Sequence, residues 1–236
     1  MSVSIAVMGA GCVGAWLGAW LAQAGARVTL VGRPRLVDTI EQGGLSARQL
    51  TGALATLRAD QLTLTIDPSA VAEASLVLLC VKGRDTTSAA RALAPHLRED
   101  AVLVSLQNGL RNPARIRAEL PTHAVVPGMV PFNIFWEARP PEEGVHLQQA
   151  TSGELVLGRH PGPELAQLLE LFARAGLPAR THPDMPSVQW AKLVLNLNNA
   201  IHALSGRSLH AELSDRAYRR LLAAAMREAW RALDQA

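Results

Sequence analysis

Ser4-Ile5-Ala6-Val7-Met8-Gly9-Ala10-Gly11-Cys12-Val13-Gly14 opens the chain with an apolar run, a glycine-punctuated turn and the start of a second apolar run. Ser4 to Met8 reads as a short buried strand, Cys12 to Ala24 as a helix stopped by Gly25, and Arg27 to Val31 as a second strand. The turn between the first strand and the helix is G-x-G-x-x-G. In such a βαβ unit Gly9 permits the tight turn, Gly11 lets the backbone approach a pyrophosphate, and Gly14 lets helix and strand pack closely. The helix N-terminus adds N–H donors and positive potential. Gly9, Ala10, Gly11, Cys12, Val13 and Gly14 are therefore the candidate dinucleotide loop, with a purely structural glycine turn as the competing reading. At the end of the second strand an NAD-specific protein usually places an acid for the ribose hydroxyls, whereas this chain has Gly32-Arg33-Pro34-Arg35. An arginine there suits a 2′-phosphate, so Arg33 favours NADP over NAD.

Working outward, Leu45 to Ile66 shows strand-like alternation around Thr51-Gly52, Leu76 to Val81 is a β-type run, Thr86 to Leu97 is helical, and Val102 to Leu106 is a further buried strand. In Val125 to Gly158, short β-type runs broken by Pro131, Pro140-Pro141, Gly144 and Ser152-Gly153 read as antiparallel strands at the sheet edge. Glu164 to Ala175 reads as a helix and Leu177 to Thr181 as a last strand. From Met185 onward the pattern is helical, over Ser187 to Leu204 and Glu212 to Ala236. The expected fold is α/β, a Rossmann-type doubly wound sheet in residues 1–182 followed by helices in 183–236.

Composition narrows the function. A chain of 236 residues with 49% hydrophobic content can bury a core, which excludes disordered and fibrous classes. The net charge of +3 carries no basic block, so no nucleic-acid footprint is visible. The first 26 residues hold no charged side chain, but a signal peptide would need a basic leading region, and a spanning helix would tolerate their glycines poorly. Cys12 and Cys80 lack metal or redox spacing and fit reduced, buried thiols in a cytoplasmic protein. No metal site is expected.

Of the 23 basic residues, 21 are arginine, and the two lysines are Lys82 and Lys192. Such a bias marks both as candidates for positions that need a compact, deprotonatable ammonium, with chance survival on the surface as the plain alternative. Lys192, Asn196 and Asn199 fall within roughly 60° of one another on an ideal helix otherwise rich in Leu, Val, Ile and Trp. One lysine among amides can line a pocket and donate to a carbonyl oxygen that becomes an alkoxide. A structural amide network with a snorkelling lysine remains the alternative.

Together, the glycine loop at 9–14, Arg33, Val81-Lys82, Gln107-Asn108-Gly109 and Trp190-Ala191-Lys192-Leu193-Val194-Leu195-Asn196 resemble the ketopantoate reductase (2-dehydropantoate 2-reductase) family, in order and spacing, over essentially the whole chain. The resemblance implies NADPH as cofactor, a helical C-terminal domain closing the cleft, and reduction of 2-dehydropantoate to (R)-pantoate in pantothenate synthesis. It makes Lys192 the general acid, Asn196 a substrate-binding amide, Lys82 and Asn108 neighbours of the cofactor, and Arg33 its adenosine-phosphate partner. Many family members carry a further asparagine eight residues after the lysine. That position is Ala200 here, with Asn199 one earlier as the candidate substrate ligand. The family also supplies a serine and an acidic residue from more distal helices; with the sequence stopping at Ala236, the expectation is either a truncated piece or a protein that lacks part of this substrate clamp. The expected partners are a small 2-oxo acid and, at most, a second copy of the chain, with neither nucleic acid nor membrane. Two rival functions stay open: reduction of another branched 2-oxo acid, and a catalytically weak NADP-binding or sensing module.

Overall fold

In a computed structural model, residues 3–234 are described. In chain order the first half runs β1 (Ser4–Met8), α1 (Cys12–Gln23), β2 (Arg27–Val31), α2 (Pro34–Gly43), β3 (Leu45–Arg48), β4 (Leu54–Leu57), β5 (Thr63–Thr65), β6 (Leu76–Leu79), α3 (Thr86–Leu93), β7 (Val102–Ser105) and α4 (Asn112–Glu119). Then follow β8 (Ala124–Met129), β9 (Ile134–Glu137), β10 (Val145–Gln149), β11 (Leu155–Gly158), α5 (Pro163–Arg174) and β12 (Ala179–His182). The helices α6 (Met185–Asn196), α7 (Asn198–Ser205), α8 (Leu209–Ser214) and α9 (Arg216–Asp234) complete the chain. Two compact units result, Met1–Met185 and Pro186–Ala236.

The first unit is built on an eight-stranded sheet in the order β12-β11-β8-β7-β6-β1-β2-β5. Its six strands from β5 to β8 are all parallel; β11 joins β8 antiparallel, and β12 runs parallel to β11. The order of the chain reverses at β1, which lies between β2 and β6. In an open parallel sheet that reversal leaves a crevice beyond the carboxyl ends of the strands. The central strands β6 and β7 are buried at every residue, as a sheet covered on both faces requires.

The segment 125–158 departs from the expected sheet edge. Only β8 and β11 join the main sheet, whereas β9 and β10 pair with β3 and β4 in a separate four-stranded sheet of order β4-β3-β10-β9. The reason lies in α1. Its residues Gly14 to Leu21 are all buried, and a helix that is apolar all round must be covered all round. It touches β1 and β2 on the main sheet and β3, β4, β9 and β10 on the second. Trp16, fully buried, donates its indole N–H to the Arg48 carbonyl of β3 at 3.1 Å and lies 5.1 Å from the Phe132 ring. Burial of a side chain of this kind contributes roughly 1.5–3 kcal/mol. Within that uncharged stretch, Ser4–Met8 and Cys12–Gln23 are thus a strand and a core helix; among the described residues, no helix is long and apolar enough to cross a membrane.

The helical segment also differs in detail. The expected run 187–204 is α6 and α7, separated at Leu197, whose backbone stays helical (φ −58°, ψ −28°) while its N–H bonds to Val194, three residues back, at 3.3 Å. A tightened turn, not a helix end, lies there. The expected run 212–236 is α8 and α9, parted at Asp215; Gln235 and Ala236 lie outside the described residues.

Two glycines of α1 allow its close approach to the sheet, and they differ in what a side chain would meet. A Cβ at Gly14 would stand 2.5 Å from the Gly9 carbonyl oxygen, which is backbone, whereas one at Gly18 would stand 2.5 Å from Leu30 Cδ2, the end of a flexible side chain. Gly14→Ala is expected to destabilise the protein by about 1–3 kcal/mol. Gly18→Ala should fall within about 1 kcal/mol of the parent, because improved helix propensity offsets the Leu30 shift. Urea unfolding of the two variants checks this, and equal losses would contradict it.

Candidate active site

Four segments carrying expected site residues leave the carboxyl ends of four adjacent parallel strands. The glycine loop follows β1, Arg33 follows β2, Lys82 follows β6 and Asn108 follows β7. Backbone hydrogen bonds tie their exits together. Gly9 and Ala10 each donate to the Val31 carbonyl at 3.0 Å, Cys80 donates to Met8 at 2.8 Å, and Leu106 donates to Leu79 at 3.0 Å.

The glycines of the loop answer to different demands. Gly9 adopts φ +95°, and a Cβ there would collide with the Val81 nitrogen at 2.6 Å; only glycine fits that approach to the β6 exit. Gly11 is exposed, has negative φ, and a Cβ on it would meet no protein atom within 4 Å. Nothing inside the fold requires a glycine at that point. Gly11 also precedes α1 as its N-cap without a side-chain hydrogen bond, and the first turn holds no acidic residue. A helix start of this kind has N–H groups for an outside acceptor and a positive end to its dipole. The loop is therefore fit to receive a diphosphate. Both cysteines are free thiols, and burial pushes the Cys80 thiol up to about 12, which leaves it protonated at neutral pH.

Arg33 is the N-cap of α2, exposed, with no ion pair among the described residues. Arg35 is engaged elsewhere, its guanidinium 5.8 Å from the centre of the Trp136 ring, a cation–π distance. Of the two arginines after β2, Arg33 is the one available to a ligand. Lys82 and Asn108 are both exposed.

Beneath Lys82 and Asn108 lies a buried polar cluster that the sequence alone does not announce. Gln107 donates to the Val81 carbonyl at 3.1 Å and to the Thr86 hydroxyl at 2.8 Å, and accepts from the Ser105 hydroxyl at 3.0 Å. Thr86 Oγ1 lies 2.9 Å from the Gly83 carbonyl and 3.0 Å from Asn112 Oδ1, and the Asn112 amide donates to the Asn108 carbonyl at 2.8 Å. The Gln-Asn-Gly motif carries the signal for it, in the glutamine that the resemblance leaves without a role.

The helical unit holds the remaining expected residues. Lys192 and Asn196 lie four residues apart on α6 and are both half-buried. Burial pushes the Lys192 ammonium below the ordinary lysine range, which makes it a readier proton donor. Asn199 lies beyond the tightened turn, on α7, and is exposed. A tightened turn at Leu197 separates it from Lys192 and Asn196, which share α6. Glu212 of α8 is a further residue that sequence reasoning does not single out. Its side chain is fully buried, 2.9 Å from His202 Nδ1 and 3.2 Å from the Ser205 hydroxyl. Burial alone would raise its carboxyl, but hydrogen bonds from His202, Asn198 and Ser205 outweigh that and hold it below the usual carboxylate range.

Residues 5–162 match the family described as ketopantoate reductase PanE/ApbA. A 2-dehydropantoate 2-reductase of Halobacterium salinarum is 32% identical over 206 residues, covering 85% of this chain and 65% of that protein. One of Pyrococcus horikoshii is 30% identical over 197 residues, covering 82% and 61%. The chain thus spans somewhat under two thirds of the length of these curated relatives. Among solved structures, a PanE/ApbA family ketopantoate reductase from Ralstonia eutropha JMP134 superposes with a TM-score of 0.82 at 34% identity, covering 97% of this chain and 73% of that one. With the family pattern matched over most of its first unit and the fold shared over nearly its whole length, this chain belongs to the ketopantoate reductase PanE/ApbA family.

Proposed function

We propose that the protein reduces 2-dehydropantoate to (R)-pantoate with NADPH. The observation that carries the cofactor half of this reading is Gly11, a glycine at a phosphate-loop position that no internal contact demands. A pyridine nucleotide agrees with the family and with the reversal of strand order at β1; NADPH in particular rests on Arg33, exposed after β2 where an acid would select NAD. In this reading the backbone N–H groups from Cys12 to Gly14 hold the diphosphate, Arg33 holds the 2′-phosphate, and Lys82 and Asn108 flank the cofactor. The substrate half rests on the relatives named 2-dehydropantoate 2-reductase.

When bound, NADPH supplies the hydride that adds to the keto carbon. Lys192, as its ammonium, donates a hydrogen bond and then a proton to the carbonyl oxygen as negative charge gathers there, and regains the proton from water. Asn196, one helical turn on, orients the substrate through its amide, with Asn199 as a further amide ligand. The lowered pKa of Lys192 suits it to proton donation, because the group parts with its proton more readily than a solvated lysine.

Gly11→Ala should leave stability within about 1 kcal/mol, since an alanine N-cap costs no more than about that relative to glycine, while NADPH affinity falls about tenfold or more, a loss of about 1.4 kcal/mol. Fluorescence titration alongside thermal unfolding separates the two effects, and unchanged affinity would return Gly11 to a structural role.

Arg33→Ala should weaken NADPH by roughly 10- to 100-fold, the range of a lost charge-assisted hydrogen bond, and NADH hardly at all. Parallel binding curves for the two cofactors test it; an equal loss for both would remove Arg33 from the 2′-phosphate.

Lys192→Arg should lower turnover of 2-dehydropantoate by roughly 100-fold or more with NADPH binding little changed, because a guanidinium keeps the charge but does not release its proton. In the parent protein the rate should fall as pH rises through the Lys192 pKa, and since burial lowers that pKa the alkaline limb should begin below the ordinary lysine range. Parent-like turnover by the arginine variant would assign Lys192 to binding alone.

A further inference from the structure

Ser105, Gln107, Thr86 and Asn112 are four polar side chains buried at the carboxyl edge of the main sheet, exposed by 0%, 6%, 0% and 4%. Their hydrogen bonds use both amide hydrogens and the carbonyl oxygen of Gln107 and reach three loop carbonyls, with the single hydroxyl hydrogen of Thr86 shared between the Gly83 carbonyl and Asn112 Oδ1. Those carbonyls belong to Val81 and Gly83, the neighbours of Lys82 on either side, and to Asn108 itself. Lys82 is fixed once more by its own carbonyl, which accepts from Asp85 at 2.8 Å.

We propose that Gln107, Thr86 and Asn112 are positioning residues that fix the backbone from which Lys82 and Asn108 reach the cofactor, an inference that rests on the proposed placing of those two beside NADPH. Past the Cys80 and Leu106 backbone bonds, the exits of β6 and β7 leave the sheet, the first into a single 3-10 turn at Gly83–Asp85. A chain of side-chain hydrogen bonds from β7 through Gln107 to Thr86, the first residue of α3, and on to Asn112, the first residue of α4, holds both exits to the same scaffold. An apolar filling would satisfy packing but would take these donors from the Val81 and Asn108 carbonyls, which are left to seek other partners. Loops released from their donors would sample other conformations, and the two exposed side chains would lose their shared geometry. The Gly83 carbonyl has a second donor in Arg115 at 3.1 Å, so the Thr86 hydroxyl matters most through its link between Gln107 and Asn112.

The test compares Thr86→Val, which keeps shape and removes the hydroxyl, with Thr86→Ser, which keeps the hydroxyl. Thr86→Val should raise the Kd for NADPH about tenfold and speed amide hydrogen exchange at 81–84 and 107–110 in the cofactor-free protein; Thr86→Ser should stay within about twofold of the parent. Val104→Ala, a core change on β7 away from the cluster, serves as the control and should lower the Tm while leaving the Kd unchanged. Asn112→Ser gives a second route, with faster exchange expected at 107–110, should the valine variant fail to fold. The positioning role is overturned if Thr86→Val binds NADPH as the parent does, or if Val104→Ala raises the Kd as much. If instead Lys82→Ala and Asn108→Ala each leave NADPH binding unchanged, the placing of those residues beside the cofactor has failed, and the proposal falls with it.

Discussion

Everything at the carboxyl edge of the main sheet depends on how closely the exit of β1 lies against the exit of β6. A Cβ on Gly9 would stand 2.6 Å from the Val81 nitrogen and 2.9 Å from the Cys80 carbonyl carbon, so the two chains pass where only a hydrogen atom fits between them. The phosphate loop therefore begins beside the residue that precedes Lys82. Gly9 reaches this point with φ +95°, where any side chain is strained, and its N–H and that of Ala10 close the loop onto Val31 of β2. One glycine thus sets the spacing of three strand exits, and with it the distances over which Arg33, the loop and Lys82 act as one edge.

A second constraint follows from the first. To bring α1 down on that edge, Gly14 must approach Gly9, Val7 and Cys80, and the helix that results is too apolar to face water on any side. The second sheet answers this by covering its outer face, with Trp16 packed against Phe132 and bonded to the Arg48 carbonyl. It also steadies the far end of the site. Trp136 of β9 takes the guanidinium of Arg35 at 5.8 Å, which holds the first turn of α2 and leaves Arg33, two residues earlier, turned to solvent. The cover over α1 and the start of α2 at Arg33 thus belong to one arrangement.

These relations explain what can be read in the sequence and what cannot. The strands β1, β2, β6 and β7 and the start of α1 are legible because each is a local apolar run with glycine or polar punctuation. The separate sheet is not, since Leu45–Arg48 and Val145–Gln149 pair across about a hundred residues, and an alternating pattern names a strand without naming its neighbour. Helix α2 escapes a reading by apolar runs, although it has boundary cues in Pro34 at its first turn and in Gly44, with φ +83°, at its end. At the site, residues with distinctive chemistry, Arg33, Lys82 and Lys192, stand out by type. Gln107, Thr86 and Asn112 do not, because their meaning lies in hydrogen bonds between segments 21 and 26 residues apart.

The helical unit makes the same distinction through charge. Lys192 and Glu212 are both withdrawn from solvent, and both have a lowered pKa, yet the sign means opposite things. For Glu212 a lowered pKa says that folding favours the charged form. Its hydrogen bonds contribute stability that is present above the unfolded-state pKa and lost as pH falls through the folded one. For Lys192 it says that folding disfavours the charged form. The resulting cost is full below the folded pKa and is relieved only as pH rises towards the unfolded value. A carboxylate satisfied by His202, Asn198 and Ser205 is what joining α7 to α8 requires. Burial disfavours the charged form of Lys192, and a group whose desolvation works in that direction is a candidate for chemistry. Within one short run of helices, the direction of the free-energy change separates the residue that holds the fold from the residue proposed to use it.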